Sequence, residues 1–300
     1  MSQVATQDET QTTGTALQTR PITEVFGLEI VGFDIRTAQA AQAREIEALF
    51  NQNAALLFRD QKLDPNDLVR FSRHFGDLDE APVNEDGKTA IDGVPELYVI
   101  SNIMDKTGKA VGSLGAGEAV WHTDMSYLER PPKASMLYSM EVPDEGGNTW
   151  VASMYAALED MPVDLRKRIE TRRIKHDGTF NSAGFLRQGL EECNDPRNSV
   201  GTFHPIICKH EDTGRDVLYL GRRRNAYIEG LDLDASEALL DDLWAHASQE
   251  KFAYNHKWRV GDVLMWDNRA TLHRRDPFDP NTRRYMLRTQ IKSGAAPRAA

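Results

Sequence analysis

Two histidines and one aspartate constrain the fold of this chain more than any other sequence feature. His122 and Asp124 lie two positions apart in the segment WHTD, and His273 lies 151 positions beyond His122. Side chains two positions apart on a strand or strand end point to the same side. His273 can join them only if a sheet brings distant strands together. Two imidazoles and one carboxylate then form a facial triad, which leaves Fe(II) open to an organic co-substrate and O2.

The His-x-Asp pair by itself also fits a solvated turn, because so short a pattern occurs by chance in many chains. The residues downstream favour the metal site. His273 ends the run MWDNRATLH at 265–273, which is typical of a buried strand that leads into a polar turn. A further predicted strand then carries Arg284 and Arg288.

Short strand patterns outnumber helical ones along the chain. Apolar strand patterns occupy residues 54–59, 97–103, 134–142, 252–258, 263–266 and 284–291. Helical spacing occurs at 38–52, from the Asp64-Pro65 start to Gly76, at 154–174 with a break at Pro162, and after a capping box of Asp234 and Glu237. This distribution predicts a mainly β protein, an antiparallel double-sheet jelly-roll with helical insertions that buttress one sheet.

We expect one domain over residues 20–300, preceded by a disordered tail over residues 1–19. The tail is rich in Gln and Thr and has no apolar period. Two Gly-containing segments, 104–120 and 177–203, are long for loops and are candidate lids over an active site. The first of them fits a plain surface loop equally well.

Charge and cysteine content restrict the partners and the compartment. A net charge of −10 argues against nucleic acid and against an anionic membrane surface as partners. No signal peptide and no apolar run of membrane-spanning length is visible. The two cysteines, Cys193 and Cys208, are too few for a secreted disulfide scaffold, so we expect free thiols in the cytoplasm.

Four motifs in order make the sequence resemble a known family. The sequence is similar to the taurine dioxygenase/2,4-dichlorophenoxyacetate dioxygenase family of Fe(II)- and 2-oxoglutarate-dependent oxygenases. The motifs are WHTD at 121–124, GGNT at 146–149, GDVLMWDNRATLH at 261–273 and the pair Arg284/Arg288. The resemblance implies a cupin-like double-stranded β-helix that holds Fe(II) through His122, Asp124 and His273. It also implies that 2-oxoglutarate and O2 are consumed, with release of succinate and CO2, while a substrate is hydroxylated.

The resemblance implies further residue roles. Arg284 matches the family position that binds the far carboxylate of 2-oxoglutarate, and an arginine fork suits a carboxylate. Thr149 matches the hydroxyl that shares this carboxylate. Arg288 matches a second arginine, which binds the anionic group of the primary substrate. Arg283 should face the opposite way, and Tyr127 is a candidate substrate contact that fits the core equally well.

The expected substrate is a small organic anion other than taurine. The taurine-specific branch has a histidine and a tyrosine where this chain has Ala81 and Asn84, whereas residues 258–273 are more similar to the aryloxyacetate branch. An aryloxyalkanoate, a sulfonate, a sulfate ester or a related acid is therefore expected. We also expect a homo-oligomer, either a dimer or a tetramer.

Two other classes of protein use parts of this pattern. A zinc-dependent hydrolase can use the same two histidines and one carboxylate, but it leaves Arg284 and Thr149 without a role. A non-catalytic jelly-roll that binds a small molecule has no need for three metal-type ligands together.

Overall fold

The computed structural model describes residues 16–81, 89–116 and 119–300. Their strands are β1 (Thr19–Pro21), β2 (Leu28–Ile30), β3 (Ala55–Phe58), β4 (Tyr98–Ser101), β5 (Ser113–Leu114), β6 (Ala119–His122), β7 (Ala134–Glu141), β8 (Thr149–Ser153), β9 (Arg173–Asp177), β10 (Gly201–Pro205), β11 (Ile207–Lys209), β12 (Asp216–Leu218), β13 (Tyr227–Ile228), β14 (Ala253–His256), β15 (Val263–Asp267), β16 (Thr271–Arg275), β17 (Tyr285–Ile291) and β18 (Arg298–Ala299). The α-helices are α1 (Ala40–Asn53), α2 (Pro65–Ser72), α3 (Met154–Glu159), α4 (Val163–Ile169) and α5 (Leu233–Ala247). Short 3-10 helices span Ile35–Thr37, Arg73–Phe75 and Glu250–Phe252.

Two sheets form the centre of the fold. Within the described ranges, one has eight strands in the order β1-β2-β3-β15-β7-β17-β4-β5, and the other has four in the order β14-β8-β16-β6. Val151 of β8 packs against Leu264, Trp266 and Met286 of the larger sheet, so the two sheets face each other across an apolar layer. Two three-stranded sheets, β10-β9-β13 and β12-β11-β18, flank them. The expected mainly β jelly-roll with helical insertions is confirmed.

Helices cover the outer faces of both sheets, so the expectation that they buttress only one sheet is wrong. Phe50 of α1 and Phe71 of α2 pack on the eight-stranded sheet. Leu158 of α3 and Leu243 of α5 belong to a separate apolar cluster that includes Leu272 of β16. The physical reason is strand alternation, because Ala152 of β8 and Leu272 of β16 point to the outer cluster, while Val151 of β8 and His273 of β16 point to the inner side.

Capping residues explain where two helices begin. Asp64 accepts a hydrogen bond from the backbone N–H of Asp67 at 2.9 Å, and Pro65 occupies the first turn, as predicted. The predicted capping box of Asp234 and Glu237 is wrong. Asp232 caps α5 by accepting from the backbone N–H of Ala235 at 2.8 Å, while Glu237 pairs with Arg223.

Several predicted boundaries shift. Most of the predicted tail lies outside the described residues, and its last position, Thr19, already pairs with Ile30 in the β1–β2 ladder. The second helix predicted up to residue 174 ends at Ile169, because the chain then enters β9. No helix among the described residues combines the length and the apolar character needed to cross a bilayer.

The two predicted lids differ from each other. The described part of 104–120 adds an edge to the larger sheet, where Ile100 of β4 pairs with Ser113 of β5, and β6 begins at Ala119. Residues 117–118 lie outside the described residues. Between β9 and β10, the described residues 178–200 form no helix and no strand beyond an isolated bridge from Phe180 to Leu186. This second segment reaches the site described below.

Candidate metal centre and co-substrate pocket

Two adjacent strands bring the predicted metal ligands together. His122 ends β6, and His273 lies opposite it in the antiparallel β6–β16 pair. Their ring centroids are 4.1 Å apart. Asp124 follows in the turn directly after β6. Cross-strand pairing thus closes the long sequence gap between the two histidines.

The donor atoms of these three residues converge. His122 Nε2 lies 3.7 Å from Asp124 Oδ1, and His273 Nε2 lies 3.8 Å from Asp124 Oδ2. One ligand atom from each residue lies within 4.8 Å of the other two, and all three residues are buried. We call this group the triad. It is a compact set of two nitrogens and one oxygen donor, which suits a divalent transition metal.

Neighbouring groups orient the donors. His122 Nδ1 lies 2.7 Å from the carbonyl oxygen of Val120, which can only accept, so Nδ1 carries the proton and the Nε2 lone pair is left for a metal. Asp124 Oδ2 accepts from the Ser135 hydroxyl at 2.9 Å. Arg288 Nη1 donates to both oxygens of Asp124, at 3.1 and 3.2 Å.

The electrostatics match the protonation states that metal binding requires. Burial lowers the pKa of both imidazoles, and the charge of His122 lowers the pKa of His273 further. Burial by itself raises the pKa of Asp124, but Arg288 and the two histidines outweigh it and hold this pKa well below its usual range. Neutral imidazoles beside an ionised carboxylate are the form in which such a set binds a cation.

A pocket of about 440 Å³ opens beside the triad. Its polar wall includes Thr149, Ser182, Arg275, Arg284 and Arg288, and its apolar wall includes Ile100, Leu137 and Trp266. Ser182 comes from the segment 178–200. The lining of the pocket therefore combines three arginines with apolar side chains.

Arg284 is buried in this wall without a counter-charge. Only 1% of the residue is exposed, its Nε has no hydrogen-bond partner, and no carboxylate of the described ranges forms an ion pair with it. Burial, together with the charge of Arg275, lowers the pKa of Arg284 to about 9. A buried guanidinium of this kind is costly unless an anion joins it. The pocket therefore suits an anionic ligand.

The residues next to Arg284 follow the predicted alternation. Arg283 faces outward and pairs with Glu141 at 2.6 and 2.9 Å. Thr149 begins β8, and its Oγ1 accepts from Trp258 Nε1 at 3.0 Å. Because this contact uses a lone pair, the hydroxyl hydrogen of Thr149 remains available for an acceptor in the pocket.

The two predicted substrate contacts lie in different places. Arg288 lines the pocket but is already hydrogen-bonded to Asp124. Tyr127 is not among the pocket-lining residues, and its ring instead packs under the guanidinium of Arg187 at 4.6 Å. Ala81 donates its backbone N–H to the carbonyl of Pro95 at 2.8 Å, and Asn84 lies outside the described residues.

Sequence reasoning missed two residues beside the triad. Ser135 holds Asp124 from β7, and Arg222 forms an isolated β-bridge with His122. The only signal for Arg222 in the sequence was its place in a run of three arginines at 222–224, and this run does not reveal which arginine turns inward.

A jelly-roll with this donor set and this positive pocket has the architecture of Fe(II)- and 2-oxoglutarate-dependent dioxygenases. The family described as taurine catabolism dioxygenase TauD, TfdA matches residues 18–290, and the chain belongs to this family. Enzymes of this family use Fe(II), 2-oxoglutarate and O2, and the chain is a dioxygenase of this type.

Individual relatives resemble most of the chain. It is 33% identical over 277 residues to the alpha-ketoglutarate-dependent 2,4-dichlorophenoxyacetate dioxygenase of Cupriavidus pinatubonensis, covering 89% of this chain and 95% of the relative. It is 30% identical over 292 residues to the (S)-phenoxypropionate/alpha-ketoglutarate-dioxygenase of Sphingobium herbicidovorans, covering 95% of this chain and 98% of the relative. The solved structure of AAD-2 in complex with Mn(II) and N-oxalylglycine superposes with a TM-score of 0.75 at 27% identity, covering 94% of this chain and 99% of that chain. These likenesses favour the dioxygenase over the zinc hydrolase and the non-catalytic jelly-roll.

Proposed function

We propose that residues 20–300 form one catalytic domain in which the triad binds Fe(II) and the adjacent pocket binds 2-oxoglutarate, for hydroxylation of a small organic anion. The observation that carries this proposal is the convergence of His122, Asp124 and His273 beside the unpaired, buried Arg284. Nothing in the packing of the fold requires a triad of metal-type ligands and an unpaired buried arginine to lie side by side.

In this proposal the three triad residues supply the metal ligands. Bound Fe(II) would supply the O2-dependent oxidation that couples decarboxylation of 2-oxoglutarate to hydroxylation of a substrate C–H bond. The protein's own contribution is orientation. The Val120 carbonyl keeps His122 in one tautomer, while Ser135 and Arg288 hold the carboxylate of Asp124.

Arg284 and Thr149 bind the far carboxylate of 2-oxoglutarate in this proposal. Arg284 offers a desolvated fork of hydrogen-bond donors. The hydroxyl oxygen of Thr149 already accepts from Trp258, so its hydrogen can be donated to the carboxylate. The apolar wall of Ile100, Leu137 and Trp266 limits the access of water to this contact.

We propose an aryloxyalkanoate, a sulfonate, a sulfate ester or a related acid as the primary substrate, with Arg288 and Tyr127 as contacts. The names of the two relatives, which act on 2,4-dichlorophenoxyacetate and (S)-phenoxypropionate, support this class. Hydroxylation of the carbon next to an ether or ester oxygen would give a product that breaks into a carbonyl compound and a leaving group.

An anaerobic titration tests the metal and co-substrate assignments. Fe(II) followed by 2-oxoglutarate should give a weak visible charge-transfer band in the wild-type protein, whereas Zn(II) in place of Fe(II) should give none. His122→Ala should lose the band. His74→Ala is the matched control, because His74 is an exposed histidine that is not part of the triad. Absence of the band in the wild type, or its persistence in His122→Ala, would contradict the proposal.

A screen for succinate release tests the substrate class. Small sulfonates, aryloxyalkanoates, sulfate esters and other organic acids are compared with their neutral amides or esters. Turnover of the neutral compounds at the rate of the acids would rule out an anion-selective pocket.

We also propose a homo-oligomer, dimer or tetramer, in the cytoplasm. The compartment is supported by the thiols of Cys193 and Cys208, neither of which is in a disulfide. Sedimentation velocity and cell fractionation test these two points.

A further inference from the structure

A second buried arginine lies beside the triad. Arg222 is 4% exposed, and its backbone forms an isolated β-bridge with His122. His122 ends β6, which is the edge strand of the four-stranded sheet. Its Nη1 donates to the carbonyl of Phe180 at 2.6 Å, whereas its Nε is buried without a hydrogen-bond partner. Among the described residues no carboxylate forms an ion pair with it. Arg222 therefore lacks a direct ion-pair partner, as Arg284 does, and only the more distant carboxylates of Asp124 and Asp177 act on its charge.

Arg187 adds a second unbalanced charge. It lies in the segment 178–200, with its guanidinium 4.6 Å from the centroid of the Tyr127 ring. Its Nε is also buried without a partner, and in the described part of the chain it forms no ion pair. Phe180, whose carbonyl accepts from Arg222, forms an isolated β-bridge with Leu186, the residue directly before Arg187, so the two arginines lie near each other. In agreement with this, the charge of Arg187, after the larger effect of burial, lowers the pKa of Arg222.

The position of Arg222 relates this pair to the triad. The backbone N–H of Thr123 donates to the carbonyl of Gly221 at 2.9 Å, so the turn before Arg222 is attached to the segment between His122 and Asp124. The charge of Arg222 lowers the pKa of His122, and Asp124 raises that of Arg222. Arg222 and Arg187 are nonetheless not among the residues that line the Arg284 pocket.

The other arginines nearby have their charges balanced. Arg223 pairs with Glu237 and Asp241. Arg224 pairs with Glu192, and Arg288 pairs with Asp124. Among these neighbours, Arg222 and Arg187 are thus the two that lack a direct ion-pair partner within the described residues. Two like charges side by side, one on a buried and one on a half-buried arginine, are unfavourable unless an anion binds between them or beside them.

We propose that Arg222 and Arg187 form a second anion-binding subsite, which takes the carboxylate, sulfonate or sulfate group of the primary substrate. This inference rests on the proposed function, because it assumes that 2-oxoglutarate occupies the Arg284 pocket. It adds a pair of specificity-determining arginines to Arg288, whose Nη1 already contacts Asp124. Guanidinium forks in a desolvated site suit all three anionic groups.

The experiment uses protein loaded with Mn(II) and N-oxalylglycine, an unreactive analogue of 2-oxoglutarate that fills the Arg284 pocket. Isothermal titration calorimetry then measures binding of sulfate and of 2,4-dichlorophenoxyacetate, with chloride keeping the ionic strength constant. Wild-type protein should bind both anions. Arg222→Gln and Arg187→Gln should each weaken binding by about tenfold or more, which is the loss expected for a charge-assisted hydrogen bond. Arg223→Gln is the matched control and should bind as the wild type does.

The outcomes separate this proposal from the previous one. Failure of the wild type to bind Mn(II) and N-oxalylglycine would overturn the proposed function. If loading succeeds, the subsite is overturned when the wild type binds neither anion, when Arg222→Gln binds like Arg223→Gln, or when only Arg288→Gln weakens binding. If Arg222→Gln does not fold, because it loses the bond to Phe180, Arg187→Gln decides the question. The side chain of Arg187 makes no hydrogen bond in the ranges that the structure describes.

Discussion

Replacing Arg284 by glutamine should change binding and stability in opposite directions. Arg284 is 1% exposed, carries no ion pair among the described residues and faces the pocket beside the triad. The ligand-free protein therefore bears the cost of a buried, uncompensated charge, and bound 2-oxoglutarate removes that cost. Glutamine keeps most of the volume but not the charge.

The binding loss follows from the contact that disappears. Removing one partner of a buried charge pair costs on the order of 2–5 kcal/mol. This corresponds to a dissociation constant for 2-oxoglutarate that is roughly 30-fold or more higher. The ligand-free variant should in contrast be more stable than the wild type. A gain of about 1 kcal/mol would raise the melting temperature by about 2–4 °C in a chain of this size.

Arg283→Gln is the matched control, because Arg283 is adjacent, exposed and paired with Glu141 at the surface. The visible band of the anaerobic Fe(II) protein reports the affinity for 2-oxoglutarate, and thermal unfolding without ligands reports stability. The reasoning is refuted if Arg284→Gln binds 2-oxoglutarate as tightly as Arg283→Gln does. A lower melting temperature of ligand-free Arg284→Gln would show that the guanidinium stabilises the ligand-free fold.

Three further predictions concern other parts of the molecule. Alanine at any one position of the triad should abolish Fe(II)-dependent succinate release while circular dichroism stays unchanged, and activity near the wild-type level would remove that residue from the ligand set. Burial raises the pKa of Cys208 to about 12, so its thiol stays protonated at about pH 8 and should resist iodoacetamide, whereas the more accessible Cys193 should react. Mass spectrometry before and after denaturation checks this, and equal labelling of both thiols in the native protein would contradict it. Gly221→Ala should destabilise the fold by several degrees and weaken Fe(II) binding, because a Cβ there would lie 1.8 Å from His176 Nδ1. Gly214→Ala is the control, because Gly214 also has a positive φ but a Cβ there meets no atom within 4 Å. If both variants lose the same amount of stability, backbone strain alone explains the effect and the contact with His176 does not.

The sequence by itself determined the strands and helices whose formation depends on residues close together in the chain. Apolar strand patterns predicted β7 and β15, and the Asp64-Pro65 start predicted α2. Family motifs predicted the oxygenase class, which the family match confirms. Each of these signals lies within a few consecutive residues, so it survives in the sequence without knowledge of the fold.

The geometry of the candidate site depended on contacts between distant segments. The register that places His273 opposite His122 involves two strands far apart in the chain, and a shift by one residue would turn one ring to the other face. The pairing of Arg288 with Asp124 likewise joins β17 to the turn after β6.

Burial was the other property that only the tertiary structure decided. Arg222, Arg223 and Arg224 are consecutive and chemically identical, yet the first is buried beside the triad and the next two pair with surface carboxylates. In the same way Asp232 rather than Asp234 caps α5. Local propensity is the same for identical residues in one run, so the choice among them comes from long-range packing, which sets where each side chain finds a partner or none.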